Sequence, residues 1–174
     1  MKKTFYSILT LCVVTISVNS IVAQCGDRYK KEVFSTVLKT ASVEYSNTDG
    51  SLLMDIYEPG GDTAAMRPLI VLAHGGSFVG GDRTEGTIVQ LCNKFAKRGY
   101  VTASIEYRLG QPINMYLDSN YAITTVLKAL SDGKSAIRFF RKDAATTNTY
   151  KINPDLIFAG GNSAGAVLYM HAVY

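Results

Sequence analysis

Two short extended runs open the patterned part of the chain, at residues 33–45 and 52–57. Asn47-Thr48-Asp49-Gly50 lies between them, and an Asp-Gly pair is a strong signal for a tight hairpin turn. A Gly/Pro/Asp loop over residues 58–65 follows. Leu69-Ile70-Val71-Leu72-Ala73 is then apolar without alternation, the signature of a strand covered on both faces, as in a parallel sheet. Across residues 84–98, Ile88, Leu91, Cys92 and Phe95 recur at spacings of three and four, which predicts a helix. Gly99 stands just past its basic last turn, where a helix stop belongs.

Residues 100–105 predict the next strand, and residues 121–130 and 135–141 two helical stretches interrupted near Asp132-Gly133. A polar loop spans residues 146–153, and Pro154 precedes a further apolar strand, Leu156-Ile157-Phe158-Ala159. A helix-forming stretch over residues 164–174 closes the chain. Two strands followed by alternating strands and helices mean an α/β domain, with a mostly parallel sheet and helices on both faces. The leading pair would extend that sheet as an antiparallel edge.

The start of the chain has a different character. Lys2 and Lys3 precede an apolar run over residues 8–18, and small Ala23 stands where a signal peptidase cuts. This order predicts a secretory signal peptide over residues 1–23, with export to the periplasm or the medium; the run is short for a membrane span. An uncleaved anchor and a lipoprotein modified at Cys25 are the alternatives, the second disfavoured by Gln24. Residues 24–174, about 151 in number, suffice for one core and are expected to form part of one domain. Their net charge is about +2 without a basic stripe, so nothing points to nucleic acid, and no stable span is expected after cleavage. Cys25 and Cys92 remain; in an oxidising compartment they either bridge each other or pair elsewhere, and two separated thiols do not suggest a metal site.

Candidate chemistry sits at two glycine-rich turns. Gly161-Asn162-Ser163-Ala164-Gly165 directly follows an apolar strand and precedes a helix. A tight turn there thrusts Ser163 above the sheet, with Gly161 and Gly165 needed because side chains would collide with the neighbouring strand and helix. The amide of Ala164, at a helix N-terminus, then faces developing negative charge. The second turn is His74-Gly75-Gly76-Ser77, after the buried strand of residues 69–73. Acyl transfer creates an oxyanion that must meet aimed backbone N–H donors, each worth about 3 kcal/mol of barrier.

These segments, with Glu106-Tyr107-Arg108-Leu109 and the run from Ile152 to Gly165, resemble the carboxylesterase and lipase branch of the α/β-hydrolase superfamily, the secreted esterases that include feruloyl and acetylxylan esterases. The resemblance covers about residues 52–174. It implies an α/β-hydrolase fold, here ending after the nucleophile helix, and hydrolysis of small-molecule or polysaccharide-linked esters without cofactor or metal. It implies Ser163 as the catalytic nucleophile and the amides of Gly76, Ser77 and Ala164 as the oxyanion hole. His74, Gly75, Gly161 and Gly165 would shape the loops. Two departures stand out: Ser77 replaces a third glycine, and Gly110-Gln111-Pro112 replaces the Ala-Pro-Glu of the hormone-sensitive-lipase group.

The triad of this fold runs Ser, then acid, then His along the chain. Only His171 follows Ser163, eight residues along the helix and about 12 Å away axially, and no acid occurs after Asp155. The acid and base are therefore expected beyond residue 174, which would make this chain an N-terminal fragment of little activity alone. It would also leave an open apolar sheet edge and poor solubility. The competing readings are a non-catalytic binding module of the same fold and a peptidase that shares the elbow.

Overall fold

A computed structural model describes residues 26–172. The predicted signal peptide, its cleavage site near Ala23, and Cys25 lie outside the described residues. Strands β1 (Val37–Ser46) and β2 (Leu52–Pro59) form the expected antiparallel hairpin. β3 (Arg67–Ala73) is buried along its whole length. Helix α1 (Gly86–Lys97) leads to β4 (Val101–Ile105), a short helix α2 (Pro112–Leu117), the long α3 (Ser119–Ala145), β5 (Ile152–Gly161) and α4 (Ala164–Ala172).

The sheet order is β1-β2-β4-β3-β5. β3 sits at its core, parallel to β4 on one side and to β5 on the other; β2 joins β4 antiparallel, so the hairpin forms the antiparallel edge. The result is a mixed sheet, mostly parallel in its core, between two helical layers. Side chains alternate across β3. Ile70 and Leu72 pack on α1 through Ile88, Cys92 and Ala96. Leu69, Val71 and Ala73 face the larger core with Phe140, Leu168 and Tyr169 of α3 and α4. Each fully buried large side chain there, such as Phe140, contributes about 1.5–3 kcal/mol.

Three expectations need correction. α3 is one continuous helix across Asp132-Gly133, not two. Gly133 is no stop: a Cβ there would lie 2.5 Å from Leu168 Cδ2, so the glycine admits α4. Asp132 is 2 % exposed and faces inward, where it binds Arg108. The short α2 fell in a stretch with no apolar rhythm, and none of its residues is buried. Finally, β5 starts at Ile152, inside the expected loop. Its register on β3 jumps between Arg67↔Ile152 and Leu69↔Ile157, so Pro154 occupies an irregular part of an edge strand, where its missing N–H costs no ladder bond. Leu156 and Phe158 of that strand are exposed.

Candidate active site

β3, β4 and β5 end together: Ala73 pairs with Ile105 on one side and with Gly161 on the other. Three connections therefore leave one edge of the sheet side by side: residues 74–85, 106–111 and 162–163. At such carboxyl-terminal edges open α/β sheets hold their ligands.

Ser163 stands at the join of β5 and α4 with φ at 49°, a left-handed conformation that a non-glycine residue adopts only when its surroundings enforce it. The enforcement is visible on both sides. Asn162 N–H donates to Ala73 O at 3.1 Å, tying the turn to β3. A Cβ on Gly161 would lie 2.6 Å from the Gly165 carbonyl carbon, and one on Gly165 would lie 2.6 Å from His74 O and closer still to Ala73 O. Both contacts are with backbone, which cannot yield. Ser163 itself is exposed.

The 74–77 loop lies against this turn: a Cβ on Gly75 would sit 3.4 Å from Ser163 Cβ. Three successive residues of this connection have positive φ, namely Gly76 (112°) and Ser77 (54°) in the loop and Phe78 (61°) just after it. The successive loop carbonyls of His74, Gly75 and Gly76 are anchored. Tyr107 Oη donates to His74 O at 2.8 Å, and His74 Nδ1 contacts Gly75 O at 2.6 Å, where the carbonyl can only accept and the ring must donate. Gly76 O accepts from Val79 N–H at 2.9 Å and Gly80 N–H at 3.1 Å. In a trans peptide the N–H of the next residue points opposite to the carbonyl, and every described peptide bond is trans. Anchoring Gly75 O and Gly76 O inward therefore turns the amides of Gly76 and Ser77 outward, at two residues that are exposed. The same rule orients Ala164, because Ser163 O accepts from Ala166 and Val167 along α4. Among the described residues none of these three amides has a backbone acceptor.

His74 is 1 % exposed. Its ring stacks on Tyr107 at 4.3 Å, and a Cβ on Gly81 would come within 2.5 Å of Nδ1. The structure thus encloses His74 beneath the loop and commits its Nδ1 to Gly75. His171 is exposed on α4, with Nδ1 2.9 Å from Val167 O. Neither histidine makes a hydrogen bond with Ser163 among the described residues.

Residues that the sequence does not flag brace the same region. Arg83 binds Asp55 at 2.9 Å, Ser42 Oγ at 3.0 Å and the Glu106 carboxylate; Lys39 reaches Asp55 at 2.8 Å. Burial alone would raise the Asp55 pKa, but the Lys39, Ser42 N–H and Arg83 hydrogen bonds outweigh it and hold that carboxyl below its ordinary range. Arg108 donates from Nε, Nη2 and its backbone N–H to Asp132, fixing the 106–111 connection to α3. Burial pushes the Tyr107 hydroxyl up to about 12, so it stays protonated and able to donate. The positions that supply these partners are far apart in the chain, and the only advance signal was the Glu106-Tyr107-Arg108 string. No group of three His, Cys, Asp or Glu residues gathers to hold a metal among the described residues, and no described helix is long and apolar enough to cross a membrane.

No curated protein matches the chain in sequence. Solved structures do. Native esterase 2 of the planctomycete Thermogutta terrifontis is 32% identical with a TM-score of 0.59, covering 73% of this chain and 41% of its own. The same esterase phosphonylated by cyclosarin is similar at 30% identity and a TM-score of 0.59, over 73% of this chain and 44% of its own. Phosphorylated by paraoxon, it is similar at 30% identity and a TM-score of 0.58, over 81% and 48%. The chain thus spans less than half the length of these esterases. A family model, BD-FAE, matches residues 54–173, which take in the central strands, all three connections and the Ser163 turn. The chain belongs to the BD-FAE family, an esterase family of the α/β-hydrolase fold.

Proposed function

We propose that this protein is a secreted serine hydrolase that cleaves carboxylic esters through an acyl-enzyme on Ser163. The carrying observation is the strained, exposed Ser163 at φ 49°, packed against a loop whose Gly76 and Ser77 amides are turned outward by their anchored neighbours. In the reaction, Ser163 Oγ attacks the ester carbonyl carbon and its proton passes to a general base. The carbonyl oxygen becomes an oxyanion held by the amides of Gly76, Ser77 and Ala164, each worth about 3 kcal/mol. Collapse breaks the bond to the alkoxy oxygen, which takes the proton and leaves as the alcohol. Water then attacks the acyl-enzyme by the same steps and releases the acid.

His74 is engaged by Gly75 O and Tyr107, and so braces the loop. On this reading the base and its acid come from outside residues 26–172, and the chain is the N-terminal part of a longer enzyme. The 41% coverage of the Thermogutta esterase supports that view. That esterase has been solved with phosphonyl and phosphoryl groups from organophosphates, reagents that modify activated hydroxyls, which favours an activated serine here too. Small-molecule and polysaccharide-linked esters are the proposed substrates, and the leader of residues 1–23 would deliver the enzyme to the periplasm or medium. The test uses the full-length protein with p-nitrophenyl acetate. A burst of p-nitrophenol equal to the enzyme present, followed by slower turnover and abolished in Ser163→Ala, is expected. Turnover that survives in Ser163→Ala overturns the proposal.

A further inference from the structure

On the reading of residues 74–77 as an oxyanion hole, we infer that Tyr107 is a positioning residue for that hole, acting through the carbonyl of His74 and the ring of His74. Tyr107 leaves the end of β4, and its side chain passes beneath the loop that leaves β3. It touches the loop in three ways. Its hydroxyl donates to His74 O at 2.8 Å and lies 3.4 Å from Gly75 O. Its ring stacks on the His74 imidazole at 4.3 Å and 15°. It also meets Phe78 edge-on at 6.0 Å, in the stretch where Gly110 N–H donates to Phe78 O at 2.7 Å.

These contacts fix peptide planes one after another. Holding His74 O inward sets the plane that begins residue 75. The stacked ring holds the imidazole where Nδ1 reaches Gly75 O, and that bond sets the direction of the Gly76 amide. The donors thus depend on a buried tyrosine that never meets the substrate. Tyr107 is itself fixed by its neighbours in sequence: Glu106 is bound by Arg83, and Arg108 is clamped to Asp132. The Glu106-Tyr107-Arg108 string is a bracket between the sheet and α3, with the tyrosine as its contact to the catalytic edge.

The experiment measures the full-length enzyme and Tyr107→Phe on a p-nitrophenyl ester and on its thionoester, whose sulfur fits an oxyanion hole poorly. Active-site titration counts competent enzyme in each case. Tyr107→Phe keeps the ring and removes the donor. A fall in kcat of about tenfold to a hundredfold is expected, with KM within about twofold. The preference for the oxygen ester over the thionoester should shrink in step. Thr102→Val is the comparison: it removes a buried hydroxyl that donates to Cys92 O at 3.1 Å on the α1 side of the sheet, and should lower thermal stability without moving that preference. An unchanged kcat in Tyr107→Phe, or an equal loss on both esters, overturns the inference. If Tyr107→Phe yields no folded protein, 3-fluorotyrosine at position 107 alters the donor alone; a kcat change at constant KM supports the role, and no change overturns it. A wild-type enzyme that hydrolyses neither ester overturns the esterase reading and this inference with it.

Discussion

Replacing Gly165 by alanine sets two effects of known size against each other. Gly165 is the second residue of α4, and its φ is not positive, so alanine can adopt the backbone. Helix propensity alone would make the variant about 1 kcal/mol more stable. The added Cβ, however, meets Ala73 C and His74 O at 2.6 Å, with Ala73 O nearer still. Ordinary carbon contacts lie at about 3.5–4.0 Å, so α4 must retreat from β3 by about 1 Å. Overpacking against unyielding backbone costs about 1–3 kcal/mol or more, and we expect it to outweigh the propensity gain. Gly133→Ala is the internal reference, because its Cβ meets the end of the flexible Leu168 side chain at 2.5 Å. Repacking there should keep the net change within about 1 kcal/mol of zero. Thermal melts of the full-length protein check both, at about 2–4 °C per kcal/mol for a domain of this size or larger. Because the retreat also moves Ser163 away from the 74–77 loop, kcat should fall about a hundredfold in Gly165→Ala. A Gly165→Ala protein as stable and as active as the wild type would refute the claim that this glycine fixes the elbow against β3.

Other outcomes follow from the bracing groups. The Asp55 carboxyl is held below its ordinary range in the folded state, so its contribution to stability is complete above the unfolded value, about 3.9, and is lost as pH falls through the lower folded value. Urea titrations from pH 7 to pH 3 should therefore show Asp55→Asn less stable than wild type at neutral pH, with the gap closing in acid; a gap independent of pH would contradict the assignment. Asp132→Ala strips Arg108 of a partner that accepts three of its donors, and should cost about 2–3 kcal/mol, measured by the same titration. Cys92 is fully buried and its thiol is pushed up to about 12, so it stays protonated. Peptide mapping after iodoacetamide at pH 8 should find Cys92 unmodified in native protein and modified after denaturation.

The elements that carry the site were legible because their signals are local. An unbroken apolar run marks β3, a three-and-four rhythm marks α1, and glycines spaced around a serine mark the turn after β5. What stayed hidden depends on contacts between distant segments. Gly133 looks like a helix break until Leu168 is seen to need its space. Asp132 looks like a turn residue until Arg108 arrives from 24 positions away. His74 reads as a loop-shaping residue, but the partner that holds it there, Tyr107, lies 33 positions downstream, and no spacing rule predicts that contact. Pro154 read as the residue before a strand because its irregular register shows only against β3.

The role of Ser163 is tested most directly by a fluorophosphonate, which phosphonylates a serine only when the hydroxyl is activated and amides are placed to receive the phosphonyl oxygen. The full-length protein, treated and digested, should carry one adduct, on the peptide containing Gly161 to Gly165 at Ser163, and Ser163→Ala should carry none. A wild-type protein left unmodified at Ser163, or modified at another residue instead, would contradict the account.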